Sequence, residues 1–236
     1  MIFAAGMGTR LKPLTDTTPK ALIPIAGKTL LEHILLKLKL AGFTQIMVNV
    51  HHFSDQIIDF LKQNNNFGLQ IEISNERETL LDTGGGLRKV QDFFKDEPFL
   101  AHNVDILSNI NLKELMHSHK SGDLATLVVS ERDTARYLLF DNAGKLHGWT
   151  NIKTQEIKPP ALCTEGLQRF AFSGIQVLSP RIFEQMNDFP DKFSMIEVYL
   201  KSMLTNKIRA YIPTDLRMMD VGKIDTIGEA ENFIFR

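Results

Sequence analysis

The chain has 236 residues, of which 43% are hydrophobic and 23% charged, a composition that excludes a disordered or fibrous protein and suits one globular domain, with no internal repeat or low-complexity linker to divide it. Lys and Arg number 27 against 28 Asp and Glu, for a formal net charge of -1. That balance supplies no overall field for gripping nucleic acid or an anionic membrane, so neither is expected as a partner. The single cysteine, Cys163, excludes an intramolecular disulfide and fits a reduced, cytoplasmic setting. No apolar run has the length of a membrane-spanning helix, and no basic-then-apolar leader opens the sequence.

In chain order, Ile2 to Ala5 reads as a short apolar strand that runs into a glycine-rich loop. Leu31, Ile34, Leu35, Leu38 and Ala41 then recur at helical spacing, and Gly42 ends the run. Gln45 to Val50 is β-branched and apolar, a strand. Ser54 is placed to N-cap a helix whose inner face is Ile57, Ile58 and Leu61. Strand Leu69 to Ser74, helix Gly86 to Phe94, strand Phe99 to Asn103, helix Leu112 to Ser118 and strand Leu124 to Val129 continue the alternation. Repeated β-α-β order predicts a parallel sheet with helices on both faces.

From Tyr137 the pattern changes. Tyr137 to Phe140 and Lys145 to Thr150 flank Asp141-Asn142-Ala143-Gly144, the signature of a hairpin. Lys153 to Gly166 reads as a loop, Arg169 to Leu178 as a strand, and Ser194 to Leu204 as a helix. Strand Ile208 to Ile212 and a closing helix from Asp225 to Phe235 complete the chain. The later strands are expected to form a small antiparallel elaboration carrying an acceptor pocket.

The densest chemical segment is Ala4-Ala5-Gly6-Met7-Gly8-Thr9-Arg10-Leu11-Lys12-Pro13-Leu14-Thr15, followed by Pro19-Lys20. Glycines at 6 and 8 let backbone N–H groups approach an oxyanion. Thr9 adds a hydroxyl, Arg10 a planar fork of donors suited to phosphate oxygens, and Lys20 a compact positive charge. Two better-known motifs are absent. A dinucleotide fingerprint requires glycine where Leu11 stands, and a P-loop ending at Gly27-Lys28-Thr29 requires glycine where Leu22 stands.

This run resembles the N-terminal pattern of the sugar-phosphate nucleotidyltransferases: Gly6-x-Gly8-Thr9-Arg10-Leu11-x-Pro13-Leu14-Thr15, then Pro19-Lys20. The similarity in layout extends across nearly the whole chain. It implies a Rossmann-like α/β fold, a mixed but mostly parallel sheet flanked by helices, in which the Gly6 loop wraps the triphosphate of a nucleotide and Ala4 and Ala5 line the nucleoside. It further implies that Arg10 neutralises departing pyrophosphate while Lys20 holds phosphate near the reacting α-phosphorus.

Two aspartates fit the same template. Asp105 follows the apolar strand that ends at Asn103, and Asp220 lies in Met218-Met219-Asp220-Val221-Gly222. In the family such a pair holds Mg²⁺, and in-line chemistry between two anions needs that kind of charge neutralisation. The family usually has glycine before the first aspartate, where this chain has Val104. The resemblance also makes Thr83, Gly84 and the less specific Glu76 candidates for nucleotide contact. Gly85, Asn103 and the strand segment Phe172-Ser173-Gly174 become candidates for the sugar. A Glu-Lys-Pro run found in many members is missing here; Thr150-Asn151-Ile152-Lys153-Thr154 stands in that region. The compact length and the Asp82-Thr83-Gly84-Gly85-Gly86 run are closest to the N-acetylmuramate 1-phosphate uridylyltransferases.

The expected activity is Mg²⁺-dependent transfer of a nucleotidyl group, from UTP by preference, to a sugar 1-phosphate. A phosphocholine cytidylyltransferase shares the N-terminal loop, and a nucleotide sensor without turnover is the alternative from another class. His117-x-His119 and His51-His52 lack the partners of a zinc site, and Trp149 reads as hairpin packing. Nothing in the sequence determines the oligomeric state, and a monomer is compatible with it.

Overall fold

The structure, a computed structural model, describes residues 1–234. The backbone separates into two compact units. The first comprises Met1–Asp82, His102–Leu112 and the stretch from Arg217; the second comprises Thr83–Ala101 and Lys113–Leu216.

The first unit is built on parallel strands. Strand Ile2–Phe3 lies between strand Gln45–Val50, with Phe3 opposite Asn49, and the end of strand Phe99–Asn103, with Phe3 opposite Asn103. Strand Gln70–Asn75 pairs with the outer side of Gln45–Val50, in register from Gln45↔Gln70 to Val50↔Asn75. Helix Leu30–Leu40 buries Leu30, Leu31, Ile34, Leu35 and Leu38, the stripe that its 3.6-residue spacing requires. Thr29 caps it, accepting from the Glu32 N–H at 3.1 Å. All four parallel segments send their carboxyl ends to one edge, where α/β sheets bind ligands. Ala4, His51, Glu76 and Asp105 follow those ends.

A short antiparallel ribbon adds to this edge: Ile106–Ser108 pairs with Met218–Asp220. Neither strand was expected, because three residues carry too little periodicity to be read. Helix Leu30–Leu40 packs on Ile106–Ser108, and helix Asp225–Ile234 packs on Met218–Asp220. The expected end of that helix, Phe235, lies outside the described residues.

The second unit is centred on strand Gln168–Leu178, antiparallel to both Asp123–Ser130 and Arg136–Phe140. Strand Lys207–Tyr211 adds in parallel to Asp123–Ser130. Arg136–Phe140 forms the expected hairpin with Leu146–Asn151. Glu156–Lys158, inside the expected loop, instead pairs with Leu146–Asn151 as a third strand. Helix Met195–Ser202 starts from a capping box: the Ser194 hydroxyl accepts from the Glu197 N–H, and the Glu197 carboxylate accepts from the Ser194 N–H at 2.8 Å. The mixed sheet with flanking helices is therefore present, its parallel part in the first unit and its antiparallel elaboration in the second.

Two helix starts differ from expectation. The helix expected from Gly86 spans Asp82–Arg88. Ser54 is the first helical residue rather than the cap. Phe53 precedes it at φ 53°, and the Ser54 hydroxyl accepts from Arg77 at 3.0 Å.

Candidate active site

Five of the expected residues meet in the first unit. Gly8 adopts φ +63°, and a Cβ there would stand 2.8 Å from Thr15 Cγ2 and 3.1 Å from Lys20 Cβ. Both the conformation and the packing therefore demand glycine. The Gly8 carbonyl accepts from the Leu11 N–H at 2.8 Å and from the Thr15 hydroxyl at 2.9 Å, which fixes the loop's exit. Gly6, Thr9 and Arg10 are exposed, whereas Ala4 and Ala5 are buried beneath them.

Lys20 is 7% exposed, and its ammonium forms an ion pair with Asp105 Oδ2. Asp105 is joined through the backbone to the other aspartate: the Val221 N–H donates to the Asp105 carbonyl at 2.9 Å, and Asp220 pairs with Ile106. Asp220 and Arg10 both approach Gly222. A Cβ on the buried Gly222 would lie 2.7 Å from Asp220 Oδ1 and 2.8 Å from Arg10 Nη2, so both groups crowd one point that only hydrogen can occupy. The contacts run from Gly8 to Lys20, from Lys20 to Asp105 and from the Asp105 carbonyl to Val221, next to Gly222, which stands beside both Asp220 and Arg10. Thr15 and Gly222 belong to the same set; neither stood out by chemistry in the sequence.

Asp220 Oδ1 is buried and has no hydrogen-bond partner among the described residues. An unpaired buried carboxylate oxygen is costly, by several kcal/mol on an order-of-magnitude scale, so this atom is built for something that arrives. A hard divalent cation fits. Mg²⁺ is commonly held by one or two carboxylates, with water and substrate phosphate completing its shell. Among the described residues no group of three or more His, Cys, Asp or Glu could hold a metal, so a cation here would draw its remaining ligands from phosphate and water.

Glu76, expected at the base or ribose, is engaged within the first unit. It is 2% exposed, and its carboxylate faces inward. Oε1 accepts from Asn49 Nδ2 at 2.7 Å and Oε2 from the Leu81 N–H at 3.1 Å. Asn49, missed in the sequence, accepts from the Ala4 N–H at 2.8 Å. Its signal was there as one polar side chain near the end of the apolar run Ile46-Met47-Val48. Asn103 is half-buried at its strand end, and its carbonyl accepts from His102 Nδ1 at 2.7 Å. Burial lowers the His102 pKa to about 4, so the ring is neutral near pH 7.

The remaining candidates belong to the second unit. The Gly84 and Gly85 N–H groups both donate to the Phe193 carbonyl, at 2.9 and 3.2 Å. The Thr83 hydroxyl accepts from the Met195 N–H at 3.0 Å. A Cβ on Gly84 would stand 2.9 Å from the Phe193 carbonyl oxygen. The helix starts early, at Asp82, with the N–H groups of its first two glycines taken up by Phe193. In strand Gln168–Leu178 the pairing slips between Phe172 and Gln176, and Gly174 sits at φ +71°, a bulge of the kind its glycine allows. The Ser173 hydroxyl is buried without a partner among the described residues, and the Phe172 ring meets Tyr199 edge-on at 6.5 Å.

A model of the nucleotidyl transferase family matches residues 1–236. An N-acetylmuramate alpha-1-phosphate uridylyltransferase of Neisseria meningitidis serogroup B is 30% identical over 233 residues, covering 98% of this chain and 96% of that protein. A UTP–glucose-1-phosphate uridylyltransferase of Synechocystis sp. is also 30% identical, over 246 residues; the match covers 98% of this chain but 61% of that longer relative. Among solved structures, HddC from Yersinia pseudotuberculosis complexed with GMP-PN superposes with a TM-score of 0.77 at 25% identity, covering 99% of this chain and 97% of that one. Among the described residues no helix is long and apolar enough to cross a membrane.

Proposed function

The chain belongs to the nucleotidyl transferase family, and we propose that it transfers a nucleotidyl group from a nucleoside triphosphate, UTP by preference, to a sugar 1-phosphate. A phosphate oxygen of the sugar 1-phosphate attacks the α-phosphorus as the bond to the bridging oxygen of the β-phosphate breaks, giving an NDP-sugar and pyrophosphate. The gathering of Gly8, Lys20, Asp105, Asp220 and Arg10 in the first unit carries this reading. The loop at Gly6 and Gly8, exposed at Gly6, receives the phosphates, and the Arg10 guanidinium offsets the charge of the departing pyrophosphate. Lys20, held by Asp105, stands ready for the α-phosphate. Asp105 and Asp220 would hold Mg²⁺, which when bound neutralises and polarises the phosphoryl oxygens. Ala4 and Ala5 back the nucleoside. Thr83 and Gly84 remain the candidates for nucleotide contact on the second unit; for the sugar the candidates remain Gly85, Phe172, Ser173 and Gly174 there and Asn103 on the first unit.

The similarity to the Neisseria uridylyltransferase over nearly the full length of both chains supports N-acetylmuramate 1-phosphate as the acceptor and UDP-N-acetylmuramate as the product. The single exposed cysteine, unpaired, suits a cytoplasmic enzyme. The test is pyrophosphate release with Mg²⁺, each of the four nucleoside triphosphates, and a panel of sugar 1-phosphates plus phosphocholine. Turnover is expected with UTP and a sugar 1-phosphate. Turnover with phosphocholine alone overturns the acceptor class, and nucleotide binding without turnover overturns the reaction.

A further inference from the structure

Four segments of the first unit are joined by a chain of buried hydrogen bonds that the chemistry above does not use. The Ala4 N–H donates to Asn49 Oδ1 at 2.8 Å, Asn49 Nδ2 donates to Glu76 Oε1 at 2.7 Å, and the Leu81 N–H donates to Glu76 Oε2 at 3.1 Å. Glu76 is anchored through its own backbone as well, its N–H donating to the Val50 carbonyl at 2.7 Å and its carbonyl accepting from His51 Nδ1 at 2.7 Å. Asn49 and Glu76 are each 2% exposed. No described residue forms an ion pair with Glu76. A carboxylate buried without a cation costs more than an apolar pair of the same volume. Core stability therefore does not account for it, whereas direction does. Only an acceptor–donor–acceptor sequence of this order holds the backbone N–H of Ala4 and that of Leu81 at a set spacing.

We propose that Asn49 and Glu76 are a positioning pair that sets the nucleoside-binding edge of the first unit. It works by fixing the backbone of Ala4, two residues before the Gly6 loop, relative to that of Leu81. The inference rests on the proposed nucleotide-binding role of this edge. Neither side chain touches the nucleotide; both act through the backbone they hold.

Hydrogen-bond parity supplies the test. With Glu76→Gln, two side-chain amides must satisfy donors at both ends, and every arrangement leaves one donor facing another. With Asn49→Asp, two carboxylates face each other. In the double variant N49D/E76Q every bond can re-form with the central one reversed, because the new amide donates to the new carboxylate. Net charge is unchanged. The readouts are the nucleotide Kd by calorimetry, the Tm, and, where turnover is present, the nucleotide KM against kcat. Each single variant is expected to weaken nucleotide binding about tenfold with kcat little changed at saturation, and the double variant to recover to within about threefold of the parent. Single variants with a lowered Tm but parental Kd reduce the pair to ordinary structure. A double variant as impaired as either single, or one that does not fold, overturns the proposal. That outcome would favour a carboxylate at 76 acting directly. Because Kd is read without turnover, a chain that shows this pattern but releases no pyrophosphate fails the proposed reaction and not the pair.

Discussion

Two glycine-rich turns in this chain look alike in sequence and are used in opposite ways. At Gly6-Met7 the chain is exposed, and a Cβ on Gly6 would meet nothing within 4 Å, although Gly8 behind them packs on Thr15. At Thr83-Gly84-Gly85-Gly86 the glycines are buried, and the first two N–H groups of the run are given to the Phe193 carbonyl. A glycine run reports that something comes close to the backbone, not whether it is a ligand or another part of the chain. Phe193 follows Gly84 by more than a hundred positions, so no local reading could have supplied it.

The strongest way to break the contrast is at the carboxylates behind the first turn. Asp105→Asn keeps the shape and removes the charge; kcat for pyrophosphate release should fall about 10³-fold or more. Near-parental turnover would reject the role of Asp105, and with it the reading of the first turn as the phosphate site. Next comes Arg10→Ala, an exposed side chain whose loss should lower kcat about 10²-fold without shifting the Tm measurably. The two glycines then give a double dissociation. Gly84→Ala forces a methyl group against Phe193 and should cost about 1–3 kcal/mol of stability, read by urea unfolding. Gly6→Ala has room and should change stability by less than about 0.5 kcal/mol while raising the nucleotide KM several-fold. If the stability loss falls on Gly6 instead, the assignment of the two turns is reversed.

Local signals explain what the sequence made legible. The apolar stripe of Leu30–Leu40 and the β-branched run Gln45–Val50 were placed to within a residue, because periodicity and burial coincide there. The site was legible where one stretch held several groups together, as in Gly8, Arg10 and Lys20. Asp105 and Asp220 came from resemblance. Their junction through Ile106–Ser108 and Met218–Asp220 is a pairing of three-residue strands distant in sequence, which no window on the chain contains. The burial of Glu76 was not legible, because a charged residue in a loop is usually exposed. Its burial depends on Asn49 and Leu81, which the sequence did not tie to it.

The central claim is that Asp105 and Asp220 jointly hold a divalent cation for the nucleotide. The most direct measurement is the Kd of the triphosphate that supports turnover, with and without Mg²⁺, for the parent chain, Asp105→Asn and Asp220→Asn. The account predicts that Mg²⁺ tightens binding to the parent, that either substitution removes this gain, and that Asp220→Asn costs the ligand-free protein little stability, since its buried Oδ1 makes no hydrogen bond there with a described residue. An undiminished Mg²⁺ effect in either variant would contradict it.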